Sequence, residues 1–272
     1  MPETQELKTL INLLKSKTPL TAMLAPAFVI DFPFPQIVGK LKRLGFKFVI
    51  EVAVGAIDTN RQALLEFKKH PQKKLITSPC PSIYQMIKTQ YPQLLPFLSK
   101  SDSPMIATAR IVREKFPETK AVFIGPCVVK KIEAARYPDL NILSVTFKDI
   151  SQVFKHFNIK ASAKDNKAEF DLATCNTRIY PVSGGLSESA NLDQVLKKDQ
   201  YRIVSGIKEV KAALAEFEKN NHIRFLDILF CFGGCINGLG INNTSLVLAQ
   251  RKKKVLQFWN QCLSKQNDLE KL

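Results

Sequence analysis

Cysteine is the residue in this chain whose type and spacing most suggest chemistry: there are six, at 80, 127, 175, 231, 235 and 262. Four of them stand just after short apolar runs. Cys80 lies in Pro79-Cys80-Pro81 behind 74–78, Cys127 in Gly125-Pro126-Cys127 behind Ala121–Ile124, and Cys231 and Cys235 behind Phe225–Phe230. Short β-branched or apolar runs closed by Gly or Pro read as buried strands. Thiolates are soft ligands, and four of them without a nearby His suit a 4Fe-4S cubane or zinc. Structural zinc usually draws two close pairs from small loops. Here two cysteines are isolated and one pair is Cys-x3-Cys, which favours iron–sulfur and leaves a structural zinc protein as the remote alternative. Gly233 and Gly234, between the last two thiols, permit positive φ and let backbone amides approach a bulky anionic group. Cys175 and Cys262 cannot hold another cluster, since four ligands are needed, and are read as ordinary buried or partly buried thiols.

The elements that must position these thiols alternate. Residues 3–15 carry Leu7, Leu10, Ile11 and Leu14 on one helical face. Leu20–Leu24 reads as a strand stopping at Ala25-Pro26-Ala27, and 31–35 as a Pro-broken loop. Residues 36–44 form a helix with Gly45 at its C-cap. Residues 47–54 form a strand ending at Gly55, and 59–69 a helix. After the strand 74–78 come helices 82–90 and 105–115, strand 121–124, strand 142–146 and helix 150–157. Residues 161–189 are irregular and read as a long loop passing near the site. A strand at 201–204, a helix at 208–219, the strand 225–230 and a helix at 245–263 complete the chain, with a polar tail from about 264. Strand–helix alternation predicts an α/β fold with mainly parallel sheets flanked by helices. Ligands of such sheets gather beyond the carboxyl ends of strands, where three of these runs end in cysteine. No repeat, linker or domain boundary interrupts residues 1–272, which are read as one domain.

The totals bound the rest. With 272 residues and 45% hydrophobic content the chain can bury a substantial core. The longest apolar stretch, 20–30, is too short to span a bilayer and contains Pro26, and the first 17 residues are polar and amphipathic rather than signal-like. A soluble cytoplasmic protein is expected. The formal charge of +16 is carried by scattered lysines (Lys68, Lys69, Lys73 and Lys74; Lys130 and Lys131; Lys197 and Lys198; Arg251 to Lys254). A solvated basic surface is the first reading and steering of an acidic partner the second. No interleaved aromatics or nucleic-acid motif accompany the charge, so nucleic acid comes third.

Three segments carry a family resemblance. Thr77-Ser-Pro-Cys-Pro-Ser82, Gly125-Pro-Cys-Val-Val-Lys-Lys-Ile-Glu133 and Cys231-Phe-Gly-Gly-Cys-Ile-Asn-Gly-Leu-Gly240 resemble, in order, the signatures of the iron-only (FeFe) hydrogenase catalytic domain, approximately TSCCPxW, MPCxxKxxxE and MxCxxGCxxGGG. Weaker similarity runs from Leu20 to about Gly240. The resemblance implies two intertwined lobes with the metal site in the cleft between them. It implies that Cys80, Cys127, Cys231 and Cys235 hold a 4Fe-4S cluster, with Cys235 also bridging to a diiron subcluster where one is present. Lys130 would hydrogen-bond a cyanide of that subsite, and Ala25, Pro26 and Ser103 would line it. Glu66, Glu133 and Ser99 would remain from a proton relay. It also implies a member without the amino-terminal ferredoxin-like clusters, fed by an acidic electron carrier such as ferredoxin or flavodoxin, with hydrogenase maturation or iron–sulfur delivery proteins as further partners.

The departures are chemical. Where the family places a proton-relaying cysteine this chain has Pro79, which has neither a titratable group nor an amide hydrogen. Ala63 stands at another relay position, Gly125 and Leu229 where the family has methionines, and Met105 where it has glutamine. General acid–base work needs a group within reach of the proton. The expectation is a divergent hydrogenase-like iron–sulfur protein for slow hydrogen chemistry, hydrogen or redox sensing, or electron transfer. The alternative is a non-catalytic iron–sulfur scaffold or assembly protein.

Overall fold

The protein, seen in a computed structural model, is described here for residues 4–69, 74–77 and 79–269. Glu3, Lys73 and Ser78, which the sequence reading placed in a helix, a basic cluster and a strand end, lie outside the described residues.

Two parallel sheets organise the chain. The first contains β1 (Leu20–Leu24), β2 (Phe46–Glu51), β4 (Lys120–Gly125) and β5 (Leu143–Thr146) in the order β2-β1-β4-β5; the second contains β3 (Leu75–Thr77), β6 (Tyr201–Ser205) and β7 (Phe225–Leu229) in the order β3-β7-β6. Every strand pair is parallel. Parallel strands need crossover connections, and the helices supply them. These are α1 (Gln5–Lys15), α2 (Gln36–Leu44), α3 (Ala53–Lys69), α4 (Pro81–Gln90), α5 (Pro104–Lys115), α6 (Lys130–Ala135), α7 (Phe147–His156), the short α8 (Gly185–Ser189), α9 (Ile207–Lys219) and α10 (Leu248–Leu269). The expected α/β class with parallel sheets and flanking helices is what forms.

Local chemistry explains most boundaries. The Thr4 hydroxyl accepts from the Leu7 amide at the start of α1, whose Leu7, Leu10, Ile11 and Leu14 are all buried. Thr146 and Asp149 cap α7 reciprocally, so that helix begins at Phe147 and not at 150. Gly45 closes α2 in the left-handed region. β1 is buried along its whole length and lies in the larger of the hydrophobic clusters, while smaller clusters pack around the second sheet.

Two boundaries correct the sequence reading. Gly55 does not end a strand; it sits inside α3. A Cβ there would come within 2.3 Å of the Thr108 hydroxyl and 2.5 Å of the Pro104 carbonyl. Gly55 is therefore where α3 and α5 touch backbone to backbone. The polar residues from 264 do not fray at once either, because Lys and Gln are good helix formers and α10 continues to Leu269.

Cys175 and Cys262 correct it again, since they form a disulfide. The bridge ties the irregular 161–189 segment to α10. Trp259 of α10 adds a hydrogen bond from its indole nitrogen to the Asn176 carbonyl at 3.0 Å, and Arg178 lies over the Phe258 ring. The segment itself is a chain of short helical turns with backbone bridges to β2, through Leu172, and to Gly234, through Val182. Among the described residues no helix is long and apolar enough to cross a membrane.

Candidate metal centre

Cys127 follows β4 of the first sheet, whereas Cys80 follows β3 and Cys231 and Cys235 follow β7 of the second. The four thiols therefore come from the carboxyl ends of strands in both sheets. All four are half-buried. Cys80 stands at the N-cap of α4, its carbonyl accepting from the amides of Ile83 and Tyr84 at 3.1 Å each. The backbone amides of Val129 and Lys130 point at the Cys127 sulfur.

The glycines between the last two thiols act through backbone shape. Gly233 and Gly234 both have positive φ, +78° and +105°. A Cβ on Gly234 would lie 2.4 Å from the Pro181 carbonyl oxygen. The Ser183 amide donates to the Gly233 carbonyl at 3.0 Å, the Ile236 amide to Pro181 at 3.2 Å, and the Gly240 amide to Pro126 at 2.8 Å. The ligand loop is thus pinned both to the 181–183 segment and to the residue preceding Cys127.

The thiols feel one another. Burial first, and then the other cysteines, push the Cys231 thiol up to about 11; burial and the charges of Cys80, Cys127 and Cys231 push Cys235 well above its ordinary value. Burial is also the main cause of the raised value at Cys127, where Lys130 and the two amides act in the opposite direction and Cys80 adds to the rise. Every pair among the four is within electrostatic reach. Such a set resists losing its protons until a positive body sits among the sulfurs, and metal binding then releases those protons. Among the described residues no three His, Cys, Asp or Glu side chains converge as ligands of a single ion would.

Beside Cys127 and Cys235 lies a cavity of about 80 Å³ with almost wholly apolar walls, which include Ala25, Pro26, Pro79, Met105, Phe123, Tyr180, Pro181 and Leu229. Lys130 reaches it from α6. Its ammonium donates to the Pro79 carbonyl at 2.9 Å, the Ser103 hydroxyl at 3.1 Å and the Glu133 carboxylate at 2.5 Å. An ammonium has three hydrogens, and here each has an acceptor. The Ser103 hydroxyl accepts from Lys130 and also caps α5. The remaining relay candidates sit together in another group, where the Ser99 hydroxyl donates to Glu66 at 3.0 Å and lies 2.8 Å from the Ser101 hydroxyl.

Phe123, Tyr180 and Pro181 escaped the sequence reading. Phe123 looked like strand interior, and Tyr180 and Pro181 looked like loop, with only the nearby Gly184-Gly185 pair to mark a close backbone approach. Buried behind them, Arg178 donates to Glu51 at 2.9 Å, an ion pair that no sequence spacing announced.

A family model described as the iron only hydrogenase large subunit, C-terminal domain, matches residues 18–239. This chain belongs to that family. Among family relatives, the NADP-reducing hydrogenase subunit HndD of Solidesulfovibrio fructosivorans is 25% identical over 288 residues, covering 82% of this chain and 49% of that protein. The cytosolic Fe-S cluster assembly factor NAR1 of Yarrowia lipolytica is 27% identical over 104 residues, 35% of this chain and 21% of its own. This member of the iron-only hydrogenase family spans about half the length of HndD and of iron hydrogenase 1 of Clostridium pasteurianum. A solved variant of the FeFe hydrogenase HydA1 from Chlamydomonas reinhardtii superimposes with a TM-score of 0.72 at 17% identity, over 93% of this chain and 88% of that one. The likeness is one of fold: parallel sheets flanked by helices in both.

Proposed function

We propose that this hydrogenase-family chain holds one 4Fe-4S cluster on Cys80, Cys127, Cys231 and Cys235 and works in electron transfer or redox sensing. The observation that carries this reading is that four cysteines from strand ends of both sheets lie close enough to perturb one another's thiols. When bound, a cubane supplies one-electron chemistry at a potential tuned by charge, burial and hydrogen bonds to sulfur. The Val129 and Lys130 amides are placed to give such bonds at Cys127. Gly233 and Gly234 let the loop curl so that Cys231 and Cys235 face the same body.

Fast hydrogen turnover is not part of this reading. Pro79 moves no proton, Lys130 and Glu133 hold each other, and Glu66 with Ser99 forms a separate group. The net charge of +16 suits an acidic electron carrier of ferredoxin or flavodoxin type. Anaerobic reconstitution with iron and sulfide is expected to give a brown protein with one cubane per chain, and serine at any of the four positions should lower the yield. A colourless product that binds zinc instead would defeat the proposal.

A second reading, a carrier that passes its cluster on, is favoured by the ligand loop's rim. Phe232, next to Cys231, is 60% exposed, and Leu239 is 72% exposed. Exposed apolar residues around a metal loop suit a transient partner, here an iron–sulfur delivery or hydrogenase maturation protein. Mixing the loaded chain with an apo-ferredoxin separates the readings. Transfer within minutes marks a carrier, and retention marks a resident cluster.

A further inference from the structure

We infer that the cavity beside Cys235 is a site for one small uncharged molecule, of the size of a diatomic gas, and that it is closed to a diiron unit. Its redox consequence rests on the cubane proposed above; the cavity itself does not.

Size is the first argument. The cavity is partly open and offers about 80 Å³, roughly half of the ~150 Å³ that a benzene-binding apolar cavity offers. Two irons with their carbonyl, cyanide and bridging ligands exceed benzene in every dimension. Phe123 accounts for part of the loss. Its ring lies where a side chain at position 125 would stand, since a Cβ on Gly125 would meet that ring at 2.4 Å. The small residue at 125 and the ring at 123 are one exchange of volume.

Wall chemistry is the second. Pro26, Pro79, Pro104, Pro126 and Pro181 all face the space, and a prolyl nitrogen has no hydrogen to donate. Among the described residues Lys130 is the only charged group on the wall, and its hydrogens are already taken by Pro79, Ser103 and Glu133. An anionic guest would exchange its hydration for a wall whose surface is almost wholly apolar, at a cost of several kcal/mol on general transfer grounds. A neutral apolar guest loses nothing on entry. Apolar cavities take gases such as xenon.

Position is the third. Cys127 and Cys235 both border the cavity, so a guest would rest against the sulfur side of the metal centre. A change of occupancy would alter packing at two ligands at once, which is what a gas-responsive redox centre requires.

The test begins with crystals of the cluster-free chain under xenon pressure. Xenon is expected between Ala53, Ala56 and Pro79, and Ala56→Leu, which fills that space, should abolish it. Should that variant fold poorly, Ala53→Val offers a smaller filling of the same wall, with partial loss expected. No xenon in the native cavity, or ordered water in its place, would overturn the inference. Reconstituted protein is then incubated with a synthetic diiron complex bearing carbonyl and cyanide ligands and desalted. Absence of their infrared bands is the expected result, and bands at one complex per chain would overturn the closure. Failure to build a cubane would sink the proposed function and leave the xenon result standing.

Discussion

Lys130 and Pro79 are joined by a 2.9 Å hydrogen bond from the ammonium to the prolyl carbonyl. Pro79, which itself offers no proton to move, thus fixes through its backbone the ammonium that borders the cavity beside Cys127 and Cys235. Charges this deeply buried hold together as a unit, with Glu133 as the anionic half at 5% exposure. Removing one partner leaves the other buried and alone, at a cost of about 3–5 kcal/mol. Lys130→Met should therefore be strongly destabilised in urea, and the double variant Lys130→Met, Glu133→Gln should recover much of the loss. A nearly neutral single variant would show that the pair is not what holds α6 in place.

Glu51 makes stability depend on pH. It is fully buried beside Arg178, and burial, only partly offset by that guanidinium, pushes its carboxyl up to about 7 from an ordinary 4.5. Between those values the folded chain binds a proton that the unfolded chain has released. The contribution of this group is therefore complete below pH 4.5 and lost as the pH rises to 7, by about 3 kcal/mol at most. Denaturation midpoints should fall between pH 5 and 8. Glu51→Gln should flatten that slope, whatever it does to the absolute midpoint, and an unchanged slope would assign the effect to other groups.

Cys175 and Cys262 stand 87 residues apart, and their disulfide covalently links α10 to the segment that carries Pro181 to the cavity beside Cys127 and Cys235. Opening so long a loop in the unfolded chain typically costs about 2–5 kcal/mol. Cys175→Ser and Cys262→Ser should each lose that much, and the double variant no more than either. Thiol titration of the denatured, cluster-free chain should count four groups before reduction and six after. Six at the outset would show that the bridge is not made in solution.

The cysteines that end strands were readable because period, β-branching and Gly or Pro closure are local signals, and parallel sheets gather their strand ends on one side. That the four strand-end cysteines would be split between two sheets came only from the two lobes the family resemblance implies, since no local rule joins Pro126 to Gly240. The start of α3 was misread for a related reason. Val52-Ala-Val-Gly55 has the composition of a strand ending in a turn, and only the contact with Thr108, far along the chain, reveals why glycine is needed there. The disulfide left no trace in spacing, and neither did the Glu51–Arg178 pair. Both depend on where the irregular 161–189 segment folds back, and no periodic pattern records that.

Gly234 gives the sharpest test of how the loop holds its thiols. Its φ of +105° is one that side-chain-bearing residues rarely adopt, and its missing Cβ leaves room for the Pro181 carbonyl, which would otherwise lie at 2.4 Å. Alanine there incurs both backbone strain and a clash with main-chain atoms that cannot swing aside. A loss of about 2 kcal/mol or more is expected, because a residue incompatible with its native φ costs more than the ~1 kcal/mol typical of a compatible exchange. The loop would relieve the strain by parting from 181–183, carrying Cys231 and Cys235 out of register with Cys80 and Cys127. Gly234→Ala should then lose most of its iron on reconstitution, whereas Leu239→Ala, at a site 72% exposed in the same loop, should load normally. Equal iron in both variants would mean that the loop's shape is set by the metal and not by Pro181.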